Sequence, residues 1–479
     1  MVENLEASWW LIAAYLIVML GIGILGRGKV TNIEDMAVAG RRSGVWLIAF
    51  SVAATWINGT TLVGNSALGR DFGLSSYWAG GSFLFVTVWI GYYVVPRLRE
   101  TGIITIPELF ERFFGPAYRL LALVLVILRD LGVTAGTLGA LTVVTMALLD
   151  ISAIESQALW LGVTVIYVFL GGMWAVLVTD SIQFVIIVAG TVGLLFSGIG
   201  QLGGLSELGS RVDPILLDQF GRAGGLQVLG WIVIGIAVTC GYQGIIQRGF
   251  AASSPETARK GFLYGGVLGI LWYMVPPLIG LLGLAIHDST VRAEDTFVRV
   301  AFESASGQMA TLIVVSVLAA SMSTLSSTIN TLASNFTLDI YQRFIDPNSS
   351  MRRRLWVYRV NVILIGLLAA LIYYLVPLLI ELFWLGGRIM GSSVAPALVA
   401  LVMFPAVRRA PKTVLAAMIS GATTVAALQI FGAVQEVGSV VIIWRLDPIL
   451  VGFPIAVLTL CVGTWIETRR TTGAAGIPA

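Results

Sequence analysis

The chain has 479 residues, of which 57% are hydrophobic and only 11% charged. Soluble proteins carry roughly 25% charged residues, and 29 Lys+Arg with 26 Asp+Glu cannot coat a water-soluble body of this size. With a formal net charge of only +3, this composition excludes a soluble enzyme, a nucleic-acid-binding protein, a disordered chain and a secreted disulfide scaffold, and leaves a polytopic membrane protein. The two cysteines, Cys240 and Cys461, both lie in apolar runs and offer neither a disulfide framework nor a cysteine metal site.

Read with a window of about 20 residues, apolar runs cover about 8–25, 44–67, 74–96, 119–149, 157–172 and 176–200. After a polar stretch they resume at about 226–246, 260–287, 307–336, 356–376, 378–404, 412–434 and 447–467. About thirteen membrane helices are expected, with no linker long enough to separate a soluble domain. The acidic opening MVENLEA lacks the basic region of a cleaved signal peptide, so the first run is read as a true span.

Alternating the runs across the membrane puts Arg27, Lys29, Arg41, Arg42, Arg97, Arg99, Arg112 and Arg119 on one side. The same side receives Arg248, Arg259, Lys260, Arg343, Arg352–Arg354, Arg359, Arg408, Arg409, Lys412, Arg469 and Arg470. Arg70, Arg211, Arg222, Arg292, Arg299 and Arg445 fall on the other. Twenty-one against six sets the orientation, with the N-terminus outside and the C-terminus cytoplasmic.

Polar groups in hydrocarbon mark function by default. The second run contains Trp56-Ile-Asn-Gly-Thr-Thr61, a poor recipe for a continuous helix, and the seventh contains Gly241-Tyr-Gln-Gly244. Two Gly-interrupted spans five helices apart are the pattern of an inverted-repeat transporter, whose broken helices meet at the midplane. The plainer reading is that these glycines only allow close helix contact.

In the ninth run, Ser323, Ser326, Ser327 and Asn330 share one helical face by their spacing of three, four and seven. Neutral oxygens in a row suit a hard monovalent cation such as sodium. Alternatively, the hydroxyls bond back to carbonyls one turn earlier or join neighbouring helices. Asp180 sits in an apolar stretch with no cation near it in sequence, so it requires a partner, a bound ion or a proton. A cation held between Asp180 and the serine face is the preferred account. Arg129, beside Asp130, and Arg388 are also at membrane depth, and each suits either an anionic solute or a structural ion pair. His287 is placed at the outer interface, and no Walker loop, zinc spacing or nucleophile triad is present.

These passages resemble the sodium/solute symporter family, which includes bacterial proline, sialic acid and sugar symporters. The resemblance runs from about residue 5 to 470. It is carried by Thr105-Ile-Pro-Glu-Leu-Phe-Glu-Arg112, by Gly171-Gly-Met-Trp-Ala-Val-Leu-Val-Thr-Asp-Ser-Ile-Gln183 and by Gln243-Gly-Ile-Ile-Gln-Arg248. Ala320-Ser-Met-Ser-Thr-Leu-Ser-Ser327, followed by Asp339-Ile-Tyr341, completes it. It implies an all-α membrane domain over 1–479 with the LeuT-type five-plus-five inverted repeat. The extra N-terminal helix is then 8–25, the repeats 44–200 and 226–404, and the two trailing helices lie in 412–467.

The resemblance further implies a first sodium site formed by Ala54, Ile57, Ala320, Ser323 and Thr324, and a second formed by Asp180, Ser323, Ser326 and Ser327. It implies a solute cavity lined by Trp56, Asn58, Thr61, Tyr242 and, with looser register, Arg129. Trp56 departs from the acid of the proline carriers and the small amide of the sugar carriers, which speaks against both solutes. The expected activity is electrogenic import of a small organic solute, anionic if Arg129 and Arg388 bind it, driven by up to two sodium ions. No organic cofactor, catalytic residue or nucleic acid is expected, and the chain is expected to act as a monomer in the bilayer. Alternatives are a proton-coupled carrier using Asp180 or Asp130, and a solute sensor, for which an appended signalling domain would be expected.

Overall fold

The computed structural model describes residues 9–287, 292–305, 307–376, 379–431, 435–437, 440–442 and 447–474. The acidic opening heptapeptide and Arg445 lie outside them. Helix α1 covers Trp9–Arg27, and a broken span follows as α2 (Val45–Trp56) and α3 (Gly59–Phe72). Next come α4 (Tyr77–Tyr93), the short α5 (Ile106–Phe114), α6 (Pro116–Leu149) and α7 (Ala153–Leu202). A second broken span is formed by α8 (Gly224–Gly241) and α9 (Gln243–Ala251). Then follow α10 (Pro255–Trp272), α11 (Val275–His287), α12 (Gly307–Asn335), a π-helix (Phe336–Ile345), α13 (Met351–Leu375), α14 (Leu379–Met403), α15 (Pro411–Phe431) and α16 (Ile449–Ala474).

Among the described residues ten helices are long and apolar enough to cross a membrane, and eleven when the bent pair starting at Val45 is included. The thirteen runs read from sequence do not map one to one onto these. The runs 157–172 and 176–200 both fall in α7, whose 50 residues would measure about 75 Å if straight, against about 30 Å of hydrocarbon. Gly172 interrupts α7 with φ 51° and ψ −143°. A Cβ there would stand 2.7 Å from the backbone of Met36, so both the dihedral and the close approach require glycine. The run 260–287 divides into α10 and α11 just before Pro276-Pro277, two residues without an N–H to offer a helix. One short antiparallel hairpin, Gln435–Val437 with Val440–Ile442, departs from the all-helical expectation.

Helix α12 lies at the centre, buried at nearly every position from Ile313 to Asn335. It packs on α7, α6 and the broken span. Arg388 of α14 is not free for a solute: its Nε and Nη2 donate to Asp447 Oδ2 at 2.9 and 2.8 Å, fixing α14 to the lead-in of α16.

At one end of the bundle α5 acts as a strap. Thr105 donates to Asp339 Oδ1 at 2.8 Å, Arg119 Nη2 reaches the same oxygen at 2.6 Å, and Arg119 also bonds Glu111. Arg343 Nε donates to Glu111 at 2.6 Å. The Ile106 N–H donates to Gln243 Oε1 at 3.1 Å, and the Gln243 amide donates to Asn335 at 2.6 Å, so the strap binds α6, α9 and the π-helix together. Burial alone would raise the Glu111 carboxyl, but the Arg119 and Arg343 guanidinia hold it below the usual carboxylate range.

Removing one partner of a buried pair leaves an uncompensated charge. Arg388→Met should therefore cost about 3–5 kcal/mol, most of it recovered in Arg388→Met/Asp447→Leu, as read from thermal unfolding in detergent. A depressed carboxyl contributes stability that is full above its ordinary range and is lost as pH falls through its lowered value. The gap in unfolding temperature between wild type and Glu111→Gln should thus be full at about pH 6 and close only as pH falls below the ordinary glutamate range.

Candidate functional site

The chain leaves helical geometry at Ile57 (φ −105°, ψ 99°) and Asn58 (φ −120°, ψ 166°), and again at Tyr242 (φ −71°, ψ 102°). Both interruptions fall where Asn58-Gly59 and Gly241-Tyr242 were expected to break their spans. The freed backbone groups are answered by side chains, as hydrocarbon demands. Asn58 caps α3: its Oδ1 accepts the Thr61 N–H at 2.8 Å, and Thr61 Oγ1 accepts the Asn58 N–H at 3.0 Å. Tyr273, at the α10–α11 interruption, donates its hydroxyl to the Trp56 carbonyl at 3.2 Å. Asn58 and Thr61 were expected to line a solute cavity, and part of their bonding capacity is spent on this cap.

Two contacts fix how the first broken span faces α12. A Cβ on Gly59 would lie 2.3 Å from Ser321 Oγ. Eight residues earlier, Ser51 shares one guanidinium, that of Arg248, with Ser327. The helices therefore run antiparallel, and Ala54 and Ile57 lie opposite the Ala320–Thr324 turn between these contacts. The Ala54–Ile57 and Ala320–Thr324 segments expected of the first sodium site thus face one another between the two contacts. The Thr324 hydroxyl there is buried with no hydrogen-bond partner among the described residues, while its neighbours are satisfied: Ser323 donates to the Ala320 carbonyl at 2.9 Å, and the Ile57 N–H to the Ala54 carbonyl at 3.1 Å.

Both readings of the serine face have a place in the geometry. Ser326 and Ser327 donate back to the Ser323 carbonyl at 3.0 and 2.8 Å, as the plain reading expected. A hydroxyl that has donated its proton still presents lone pairs, so back-bonding leaves it able to ligate a cation. Asn330 turns away to other helices: Tyr358 donates to its Oδ1 at 2.5 Å, and its amide faces Met173.

Asp180 has a fixed cation that sequence reasoning missed. Its Oδ2 accepts from Arg248 Nη2 at 2.6 Å and from Ser51 at 2.6 Å. Arg248 was counted among the surface charges of the basic side, but it is fully buried in α9. Its Nη2 also donates to Ser327 at 2.7 Å, its Nε to Ser51 Oγ at 2.7 Å and its Nη1 to the Gly244 carbonyl at 2.5 Å. The signal was present in Ile245-Ile-Gln-Arg-Gly-Phe250, where Arg248 follows the break within an apolar run. Asp180 Oδ1 is buried without a hydrogen-bond partner among the described residues.

Trp56, Tyr242 and Arg129 converge between the two breaks. The Trp56 and Tyr242 rings meet edge-on at 5.7 Å, and Phe83, one apolar helix residue among many in the sequence, stands 5.1 Å from Trp56. The Arg129 guanidinium lies 3.5 Å from the Tyr242 ring centroid, and its Nη1 donates to Asp130 at 2.6 Å. Trp56 Nε1, Arg129 Nε, Asp130 Oδ2 and the Tyr242 hydroxyl are buried without hydrogen-bond partners among the described residues. The cluster therefore presents an aromatic wall with two N–H donors, one hydroxyl and one carboxylate oxygen unspent.

The profile of the sodium:solute symporter family matches residues 37–421. The chain is 28% identical over 443 residues to the sodium/proline symporter of Haemophilus influenzae, covering 86% of each chain. It is 27% identical to the sodium/glucose cotransporter of Vibrio parahaemolyticus, covering 75% of this chain and 73% of the other. Among solved structures, a substrate-bound, outward-open sodium-coupled sialic acid symporter superposes with a TM-score of 0.80 at 19% identity, over 96% of this chain and 97% of that one. A transporter of the nucleobase-cation-symport-1 family follows with a TM-score of 0.59 at 14% identity, over 92% and 95% of the two chains. The architecture is the LeuT-type fold of these transporters, and the protein is a multi-pass membrane transporter, not an enzyme. With the matched region spanning most of its length, this chain belongs to the sodium:solute symporter family.

Proposed function

We propose that the protein imports a small polar organic solute together with sodium, electrogenically, by alternating access. The observation that carries this reading is the unsatisfied Thr324 hydroxyl at the level where the Ala54–Ile57 end of α2 meets α12. A helix that ends in mid-membrane has carbonyls without intrahelical partners, and a monovalent cation answers them and the hydroxyl together. In this reading Ala54, Ile57, Ala320, Ser323 and Thr324 hold the first sodium, and it ties the broken span to α12. Asp180, Ser323, Ser326 and Ser327 form the second cation position.

The solute lies against Trp56, Tyr242 and Arg129, with Asn58 and Thr61 at the rim of the break. A solute carboxylate reaches Arg129 only in competition with Asp130 at 2.6 Å, which weakens the case for an anion. The relatives described as symporters of proline and glucose support a small, polar, uncharged or zwitterionic solute class, and one described as a choline transporter adds a cation. Repeats over 44–200 and 226–404 are assigned here by the positions of the two breaks, with α1 outside them. The bias of Lys and Arg supports an external N-terminus.

Thermal unfolding of the purified protein against a metabolite panel, with sodium or potassium chloride, should reveal a solute that stabilises only in sodium. Saturation at a hundred times the dissociation constant is worth about 2.7 kcal/mol. Uptake of that solute into proteoliposomes should follow an inward sodium gradient and rise with an inside-negative potential, which supplies about 2.3 kcal/mol per charge per 100 mV. Uptake driven by a pH gradient and indifferent to sodium would refute the reading. Thr324→Ala should raise the sodium concentration for half-maximal uptake at least about tenfold, for the loss of one buried oxygen ligand of about 1.4 kcal/mol or more. Asp180→Asn should abolish uptake, since it strands the Arg248 guanidinium in the bundle.

A further inference from the structure

The second cation position is already supplied with a positive charge by the chain itself. Arg248 Nη2 lies between Asp180 Oδ2, at 2.6 Å, and Ser327 Oγ, at 2.7 Å. These are an acid and a hydroxyl that a second sodium would use. The remaining donors are anchored on Ser51 and on the Gly244 carbonyl, so this guanidinium is held in place from several sides at once.

We infer that Arg248 is the fixed cation of this position, and that the chain binds a single sodium ion, at the first position alone. Charge decides it. One carboxylate and one guanidinium leave the site neutral, and a sodium added beside them would place an uncompensated positive charge in a water-poor interior next to another cation. Ser51 Oγ and Ser327 Oγ each accept from Arg248 and have donated their protons to Asp180 Oδ2 and the Ser323 carbonyl, which leaves each hydroxyl a single lone pair. Asp180 Oδ1 is unengaged among the described residues, as are the uncharged Thr164, Tyr167 and Gln183 oxygens of the same helix, so what the position lacks is negative charge rather than oxygen. Ser326 can add a lone pair, but no second charge. The inference rests on the sodium-symport reading and specifies its stoichiometry.

The test is the binding of radioactive sodium to the purified full-length protein in detergent, with choline chloride keeping ionic strength constant. Wild type should bind one sodium per chain, and Arg248→Lys should do the same because the charge is kept. Arg248→Gln should double the count to two, and Arg248→Gln/Asp180→Asn should return it to one. Two sodium ions on wild type, or one on a folded Arg248→Gln, would overturn the inference. Should Arg248→Gln fail to fold, Asp180→Asn decides: an unchanged count of one supports the inference, and a fall from two to one overturns it. No sodium on wild type under any condition would overturn the underlying sodium reading and this inference with it, a result distinct from a count of two.

Discussion

A guanidinium in a membrane interior has to place its N–H donors on oxygen, and Arg248 does so by drawing α2, α7, α9 and α12 to a single point. The positions of the two helix breaks follow from it. Ser51 lies five residues before the break at Trp56–Asn58, and Arg248 six residues after the break at Tyr242. Their mutual bond therefore sets both breaks at a common depth. The antiparallel match of α2 with α12 is secured at the same point, and with it the level at which Ala54, Ile57 and the Ala320–Thr324 turn face one another. A change that moved Arg248 would act on the ion level and on the aromatic cluster together, although it touches neither Thr324 nor Trp56 directly.

Much of this was legible in the sequence because hydrocarbon makes polar residues conspicuous. Asn58-Gly59 and Gly241-Tyr242 could be read as breaks, since neither dipeptide favours a helix and no water is present to solvate loosened carbonyls. The serine spacing placed its hydroxyls on one face, and Asp180 could be recognised as a charge in need of a partner. What the sequence could not give was which partner. Arg248 is 68 residues away, and counting basic residues by side assigns it to the surface, because a count treats every arginine near a helix end as solvated. Arg388 failed for a related reason: its acid, Asp447, belongs to the lead-in of another helix. Phe83 carried no signal, since one aromatic among many in an apolar helix is indistinguishable from a packing residue until its neighbours are known. At Gly172 the runs 157–172 and 176–200 meet in one element with a sharp internal break, which periodicity alone does not show.

The solute cluster and the ion level share Trp56 and its neighbours. The Trp56 ring belongs to the aromatic wall, while its carbonyl, one residue before Ile57, accepts from Tyr273. An ion that pulls on the carbonyls around Ile57 therefore acts on a backbone segment that carries the solute-facing ring. If ion and solute bind as proposed, their coupling needs no long pathway, because both positions adjoin the unwound Ile57–Asn58 segment.

The fixed charges at membrane depth cancel in pairs: Asp180 with Arg248, Asp130 with Arg129, and Asp447 with Arg388. Pairing lowers the cost of burying each charge, and it also has a consequence for energetics. If the elements that rock between the two faces carry acids and bases in equal number, their movement transfers no net charge. The charge that crosses the membrane is then that of the bound ion and the solute alone. A neutral or zwitterionic solute with one sodium would move one elementary charge, and the membrane potential would add its full contribution of about 2.3 kcal/mol per 100 mV to that of the sodium gradient. A solute anion with one sodium would move none, and the potential would contribute nothing. The pairing of Arg129 with Asp130 thus bears on more than recognition: by disfavouring a solute anion, it keeps the membrane potential available as a driving force.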